Sequence, residues 1–307
     1  MANEADSKHW VVWRFIDGRR GHLTQLDGLT TALQDLAKIQ VVDFHLPVAR
    51  PSFSDLILGR YAPAKGKRAP DLILSAGHRT HIAALCARRA HGGRLVVLMK
   101  PSLPLSWFDL CLIPTHDTPP TDNNVIATRG VINTVRHSTQ HTPGKGLLLI
   151  GGPSRHYDWA PNTLLSIITE IIGKQPGVRF VVGDSPRTPD ATRHLLKQLE
   201  SAEYLPWEST QPGEIQQRMH NAGQIWVSED SVSMLYEALS SGAPTGLLPA
   251  PRRKNNRISQ GLDQLLNNGD LVAYEDWRAG EPLHAAPDFN EAARCAREII
   301  SRWPPTN

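Results

Sequence analysis

The feature that most restricts this chain is a repeated alternation of short apolar runs with amphipathic stretches, the pattern of strand–helix units that stack into parallel sheets. In the first half the expected strands are Trp10–Ile16, Gln40–Leu46, Asp71–Ser75, Arg94–Met99 and Asp109–Pro114, with helical patterns at Leu23–Lys38 and His78–His91. Most runs are dominated by Val, Ile or Leu, as befits strands covered on both faces. The pattern breaks between Ile126 and Lys145, where Thr128-Arg129-Gly130 and Ser138 through Gly144 read as turns and a linker. It then resumes with strands at Gly146–Ile150, Val178–Val182, Gln224–Ser228 and Pro244–Leu248. Helices are expected at Ala160–Lys174, Pro189–Glu200, Pro212–Asn221, Ser231–Ser241, Ile258–Asn267 and Asn290–Arg302. At 307 residues the chain exceeds one ordinary core. The expected fold is therefore α/β, with two Rossmann-like domains, 1–140 and 141–307, facing a central cleft, and with the C-terminal helix packing back on the N-terminal domain.

Composition narrows the function more by exclusion than by indication. Forty per cent apolar and 21% charged residues argue against disorder. A net charge of +3 suits an anionic ligand or a membrane surface. No arginine-rich tract interleaved with aromatics is present, so nucleic acid is set aside as a partner. Cys86, Cys111 and Cys295 form no CxxC, and Cys86 and Cys111 lie in apolar runs, which fits a reducing compartment. Met1–Lys8 is polar and reads as neither signal peptide nor anchor, and no window approaches the ~20 apolar residues of a spanning helix. A cytoplasmic protein, with peripheral contact to the inner membrane face, is the expectation.

Ligands of open parallel sheets bind outside the C-terminal ends of the strands, so the residues just after each strand are the candidates. The first such loop is Asp17-Gly18-Arg19-Arg20-Gly21-His22. Gly18 and Gly21 permit close backbone approach, and Asp17 and His22 are candidate proton-transfer groups. The competing reading is a plain strand–helix turn with Asp17 as cap. The second loop, Gly151-Gly152-Pro153-Ser154, and its counterpart Ser185-Pro186-Arg187-Thr188 combine free backbone, hydroxyls and a guanidinium suited to phosphate oxygens. Ser185 or Thr188 equally well caps the helix that follows. In the third, Glu229-Asp230-Ser231-Val232-Ser233, Ser231 and Ser233 open a helix whose amides suit a diphosphate. Glu237, about 9 Å further along that helix, suits a ribose diol. Asp230 reads as an N-cap as readily as a ligand group. His78 and Arg79 follow another strand end, as do His116 and Asp117, a pair suited to acceptor hydroxyls. Adjacent residues rarely ligate one metal together, so no metal is expected. His81, Cys86, Cys111 and Met99 read as packing, and so do Trp107 and Trp159 near the loop mouths.

Taken together, these stretches resemble the "elongated mitochondria" family of glycosyltransferases, which includes plant mitochondrial-fission factors and many bacterial proteins. The likeness rests on Asp17 through His22 with Gln25, Ala76-Gly77-His78-Arg79, Phe108 through Asp117, Gly151 through Ser154, Ser185 through Pro189, and Glu229 through Met234 with Glu237-Ala238. Pro186 stands where the family pattern has another basic residue. The resemblance implies a GT-B-like fold and a nucleotide-diphosphate sugar as substrate rather than a cofactor. Gly151, Gly152, Ser154, Ser185, Arg187, Thr188, Glu229, Asp230, Ser231, Ser233 and Glu237 would then lie on the donor side. Gly18, Arg19, Gly21, His78, Arg79 and His116 would serve a glycan or lipid-linked acceptor, and Asp17, His22 and Asp117 the catalysis. Metal-independent GT-B chemistry would draw its positive charge from helix tips, Arg187 and Arg252-Arg253-Lys254. Two other readings stay open: an adaptor that keeps the fold but recruits a partner to a membrane, and a nucleotide-sugar epimerase.

Overall fold

A computed structural model describes residues 9–46 and 51–305; the polar stretch Met1–Lys8 lies outside the described residues. The chain divides into two compact units, one of residues 1–134 with 291–307, the other of residues 135–290.

The first unit is built from β1 (Trp10–Ile16), α1 (Arg20–Gln34), β2 (Ile39–His45), α2 (Phe53–Leu58), β3 (Leu72–Ala76), α3 (His81–His91), β4 (Arg94–Leu98), β5 (Leu110–Pro114) and β6 (Val125–Thr128). Its six strands pair in the order β2-β1-β3-β4-β5-β6, and each pair is parallel. Successive side chains of a strand point to opposite faces, and β1 obeys this strictly. Trp10, Val12 and Ile16 enter one apolar cluster with α1, and Val11, Trp13 and Phe15 enter the other with α3. Arg14 falls on the α1 face and is the charged exception; its guanidinium binds Asp27 at 2.6 Å and Asp43 at 2.7 Å. Full burial of side chains such as Trp13, Phe15 and Leu29 contributes about 1.5–3 kcal/mol each, as an upper value.

The second unit contains β7 (Thr142–Leu149), α4 (Pro161–Gly173), β8 (Arg179–Gly183), α5 (Asp190–Lys197), β9 (Glu203–Leu205), α6 (Glu214–Asn221), β10 (Ala222–Ser228), α7 (Val232–Ser241), β11 (Thr245–Leu248), α8 (Arg257–Asn267), β12 (Val272–Ala273) and α9 (Tyr274–Arg278). The strand order is β12-β11-β10-β7-β8-β9, again wholly parallel. Ile167, Ile168, Ile171 and Ile172 of α4 pack with Phe180, Trp226 and Tyr274 on one face of this sheet.

The last helix, α10 (Glu291–Arg302), belongs to the first unit, as the expected return of a C-terminal helix requires. Ala292, Cys295, Ala296 and Ile299 are buried and recur at the i, i+3, i+4, i+7 spacing of one helical face. They pack in the cluster that holds Leu26, Leu29 and Leu33 of α1. The division therefore departs from a simple cut at residues 140 and 141. Two other departures have local causes. Helix α1 starts at Arg20 rather than Leu23 because Gly18, at φ +80°, turns the chain directly out of β1. The linker-like reading from Ile126 overlaps a real edge strand, since Val125–Thr128 pairs with β5.

Candidate active-site residues at the strand ends

Each sheet has one point at which the chain, having built to one side of its first strand, crosses to the other. In the first sheet it lies between β1 and β3, and in the second between β7 and β10. The loops that leave such neighbours diverge above and below the sheet and open a crevice at the C-terminal ends of the strands. Strand order thus selects Asp17–His22 and Gly77–Arg79 in one unit, and Gly151–Ser154 and Glu229–Ser233 in the other.

At the first crevice Asp17 and His22 pair, Nδ1 of His22 lying 2.9 Å from Oδ2 and 3.1 Å from Oδ1 of Asp17. The Asp17 side chain is 1% exposed and that of His22 16%. Gly77 closes over the pair: at φ +88°, its missing Cβ would fall 2.4 Å from the His22 ring and 3.0 Å from Asp17. Arg19 donates its backbone amide to Asp17 at 3.1 Å, so Asp17 does cap the turn while also holding the imidazole. Gln25 is buried beneath this turn and donates to Met99 Sδ at 3.3 Å. His78 and Arg79 are exposed, and His116 and Asp117 are half-buried in a short 3₁₀ turn after β5. His81 is a buried companion to this group. Burial, assisted by the neighbouring imidazoles of His78 and His22, pushes its pKa down to about 4, so it is neutral near pH 7.

The second crevice is organised around Asp230, whose side chain is fully buried. Its carboxylate accepts from Gly152 N–H at 2.9 Å, Ser228 Oγ at 2.8 Å and Ser231 Oγ at 3.1 Å, and it pairs with Arg187 at 2.7 Å. Arg187 also donates to Gly152 O at 2.9 Å and Ser231 Oγ at 2.8 Å, while its side chain stays 42% exposed. Ser228 Oγ accepts the Gly151 amide at 2.8 Å. The Thr188 hydroxyl donates to Gly151 O and accepts from Ser185 N–H at 2.9 Å. The two glycines therefore serve close packing between loops. A Cβ on Gly151 would meet Ser231 Oγ at 2.1 Å, and one on Gly152 the Arg187 carbonyl at 2.0 Å. Their amides are bonded to protein, so the phosphate-wrapping donors expected of them are already occupied.

The remaining candidates divide between scaffold and rim. Glu229 is 5% exposed; it accepts from Arg252 Nε, from Tyr157 OH at 3.4 Å and from Ala250 N–H at 3.3 Å. Burial works against the Arg252 charge, but the Asp263 and Glu229 carboxylates outweigh it and raise the pKa. Burial first, and then Glu229, push up the Tyr157 phenol. Ser154 accepts the amides of His156 and Tyr157, which makes it a turn former. Ser185 is half-buried, its hydroxyl beside Thr188 at 3.2 Å. The N-cap residue Ser231 makes no side-chain cap to the first amides of α7, and Ser233 stands exposed on that first turn with Glu237 half-buried behind it. Ser233 and the open edge of Arg187 are thus side chains that this crevice presents to solvent.

Sequence reasoning passed over two groups. Asp184 is a second buried clasp, accepting from Tyr204 OH at 2.8 Å and from Trp207 N–H at 2.6 Å. Trp207 is 39% exposed just beyond β9, with the Arg193 guanidinium 5.9 Å from its ring centre. Pro206-Trp207, a rigid residue before a large aromatic, was the available signal. A slot of about 280 Å³ beside Ser228 is lined by Trp159, Ala160, Leu164 and Pro249–Pro251. Among the described residues no three His, Cys, Asp or Glu side chains gather as metal ligands, and no helix is long and apolar enough to cross a membrane.

Comparison with known proteins places the architecture. A Listeria monocytogenes protein assigned as a UDP-N-acetylglucosamine 2-epimerase matches with TM-score 0.61 at 12% identity, covering 98% of each chain. UDP-GlcNAc 2-epimerase of Neisseria meningitidis, solved with UDP-GlcNAc, matches at 0.56 and 13% identity over 95% of this chain and 99% of its own. Acinetobacter baumannii MurG matches at 0.54 and 12% identity over 95% and 99%. The likeness is one of fold: each unit is a Rossmann-like parallel sheet with flanking helices, as in GT-B proteins. In sequence, an uncharacterized protein of Rickettsia prowazekii is 21% identical over 94% of this chain and 99% of its own length. The family model described as mitochondrial fission ELM1 matches residues 20–303, and the chain belongs to that family.

Proposed function

We propose that this protein is a metal-independent glycosyltransferase that takes a sugar from a nucleoside diphosphate donor bound by residues 135–290. One observation carries the reading. At the switch point of a parallel sheet, buried Asp230 fixes Arg187, Gly152 and Ser231 around the start of α7. A buried carboxylate beside an anion site would repel it if left bare; here four donors share its charge, and the guanidinium keeps an exposed edge. The diphosphate would lie on the α7 amides, Ser233 and Arg187, where helix dipole and guanidinium oppose the charge that grows as the leaving group departs. Glu237 would take the ribose hydroxyls.

The first unit would supply the base. With Nδ1–H donated to Asp17, the lone pair of His22 sits on Nε2, the tautomer that removes a proton. In the reaction the acceptor oxygen bonds to the anomeric carbon and its proton passes to His22. The bond from that carbon to the diphosphate oxygen breaks, and the electron pair leaves with the phosphate. The UDP-GlcNAc held by the Neisseria meningitidis neighbour supports a nucleotide sugar as the ligand class.

Titration with UDP, GDP and CMP sugars, and with the free nucleotides, by thermal shift and calorimetry tests the reading. At least one donor should stabilise the wild type, and Arg187→Gln should lose that stabilisation while still folding. No response to any nucleotide at millimolar concentration would leave the adaptor reading standing. Isomerised sugar in the absence of acceptor would show an epimerase instead.

A further inference from the structure

We propose that the outer face of α2, with the cations around it, is a docking surface for an anionic lipid bilayer. This reading stands apart from the donor site, since it concerns the first unit alone. Helix α2 spans six residues and buries none of them. Phe53, Ile57 and Leu58 are 59%, 62% and 58% exposed, and they make up half of the large apolar side chains exposed among the described residues. Phe53 and Ile57 are one helical turn apart and share a face. Beside them a shallow groove of about 570 Å³ runs between α2 and α3 to Trp107, with Arg88 and Arg89 along its wall.

The exposure is built rather than incidental. A reciprocal capping box joins Ser52 and Asp55, and Gly59, at φ +63°, closes the other end of the helix. Leu56 packs against the core cluster, pinning the helix with its remaining apolar side chains outward. Contiguous exposed apolar surface held this firmly marks an interaction site.

Charge decides the partner. Arg60 follows the helix within two residues and Arg89 lines the groove beside it, both exposed, and the exposed Lys65, Lys67 and Arg68 follow a few residues on in the chain. Asp55 is the sole acid between Pro51 and Ala69, and hydrogen bonds from Ser52 lower its pKa and hold it at the cap. A second copy of this surface across a two-fold axis would set cation against cation. Apolar side chains inserting to the acyl boundary while Lys and Arg meet the phosphates is the arrangement of an interfacial helix. Phe53 also lines a smaller groove with Leu46, Ile82 and Arg79, so the surface adjoins the strand-end loop that follows β3.

Co-sedimentation of the full chain with vesicles tests this, comparing phosphatidylcholine alone with phosphatidylcholine containing one third phosphatidylglycerol. Binding to the anionic vesicles only, weakening with salt, is expected. The Phe53→Glu/Ile57→Glu double variant should bind about tenfold or more weakly, and Arg60→Gln or Lys67→Gln about fivefold each. Leu36→Glu, at an exposed apolar position on another helix end, should bind as wild type, and circular dichroism checks that each variant is folded. Absence of binding to anionic vesicles, or equal binding by the double variant, overturns the proposal. So does a dimer that the double variant dissolves without any vesicle binding.

Discussion

At the switch point of the second sheet, Asp230, Ser228, Thr188 and Arg187 bind one another and the loop backbone. At that of the first, Asp17 and His22 pair closely and Ser75 and Thr80 share a buried hydrogen bond, while His78 and Arg79 stand in solvent. Crosslinked loops hold one geometry and so favour a ligand part that never changes, such as a diphosphate. Sparse, exposed side chains tolerate variety, which suits an acceptor. Preorganisation in one place and adaptability in the other follow from how many polar atoms are already satisfied inside the protein.

The largest effect that would sharpen this contrast lies at the proposed base. His22→Gln should lower turnover by about 10²–10⁴-fold, the usual contribution of a general base, with donor affinity unchanged. A parallel loss of donor affinity, measured by calorimetry, would break the division of labour. Next is Asp230→Ala, which strands three protein donors and Arg187. Removing one partner of a buried pair costs about 3–5 kcal/mol; the lower end is expected because Arg187 is 42% exposed to solvent. Urea unfolding measures it, and Asp230→Asn should retain much of the loss-free state.

Smaller still are the glycines. Gly152→Ala drives a methyl group onto the Arg187 carbonyl and should destabilise by about 1–3 kcal/mol. Gly21→Ala, which meets nothing within 4 Å, should be neutral or stabilising by less than about 1 kcal/mol. Equal costs at the two sites would show that the loops are packed alike. The last effect appears only in acid and concerns His81, whose folded pKa of about 4 lies below the ordinary 6.5. Its contribution to stability is complete above pH 6.5. As pH falls from there toward 4, the unfolded chain takes up a proton that the folded one refuses, so unfolding is favoured by up to about tenfold per pH unit. In His81→Leu that part of the acid limb should flatten.

Long runs dominated by aliphatic residues declared themselves in the sequence: β1 is found at Trp10–Ile16, residue for residue. Strands β6, β9 and β12 did not, because four, three and two residues are too few to establish a period. Loop positions were legible through Gly, Ser and His at strand ends, yet the direction of their side chains was not. Asp230 binds Gly152, 78 residues away in the chain, and no local pattern separates an acid that faces a ligand from one that faces another loop. Glu229, which the resemblance put on the donor side, is found against Arg252 and Tyr157. Helix α2 went unread because six residues are too few for amphipathicity to register.

The return of α10 sets an order on synthesis. Residues 135–290 are contiguous and hold all the strands of their own sheet, so this unit can close while the chain is still being made. The earlier segment must wait with part of its α1 face bare until residues 291–302 arrive, since Cys295, Ala296 and Ile299 cover it. The half translated first is thus the half completed last, and its interval of exposure is where a chaperone would be needed.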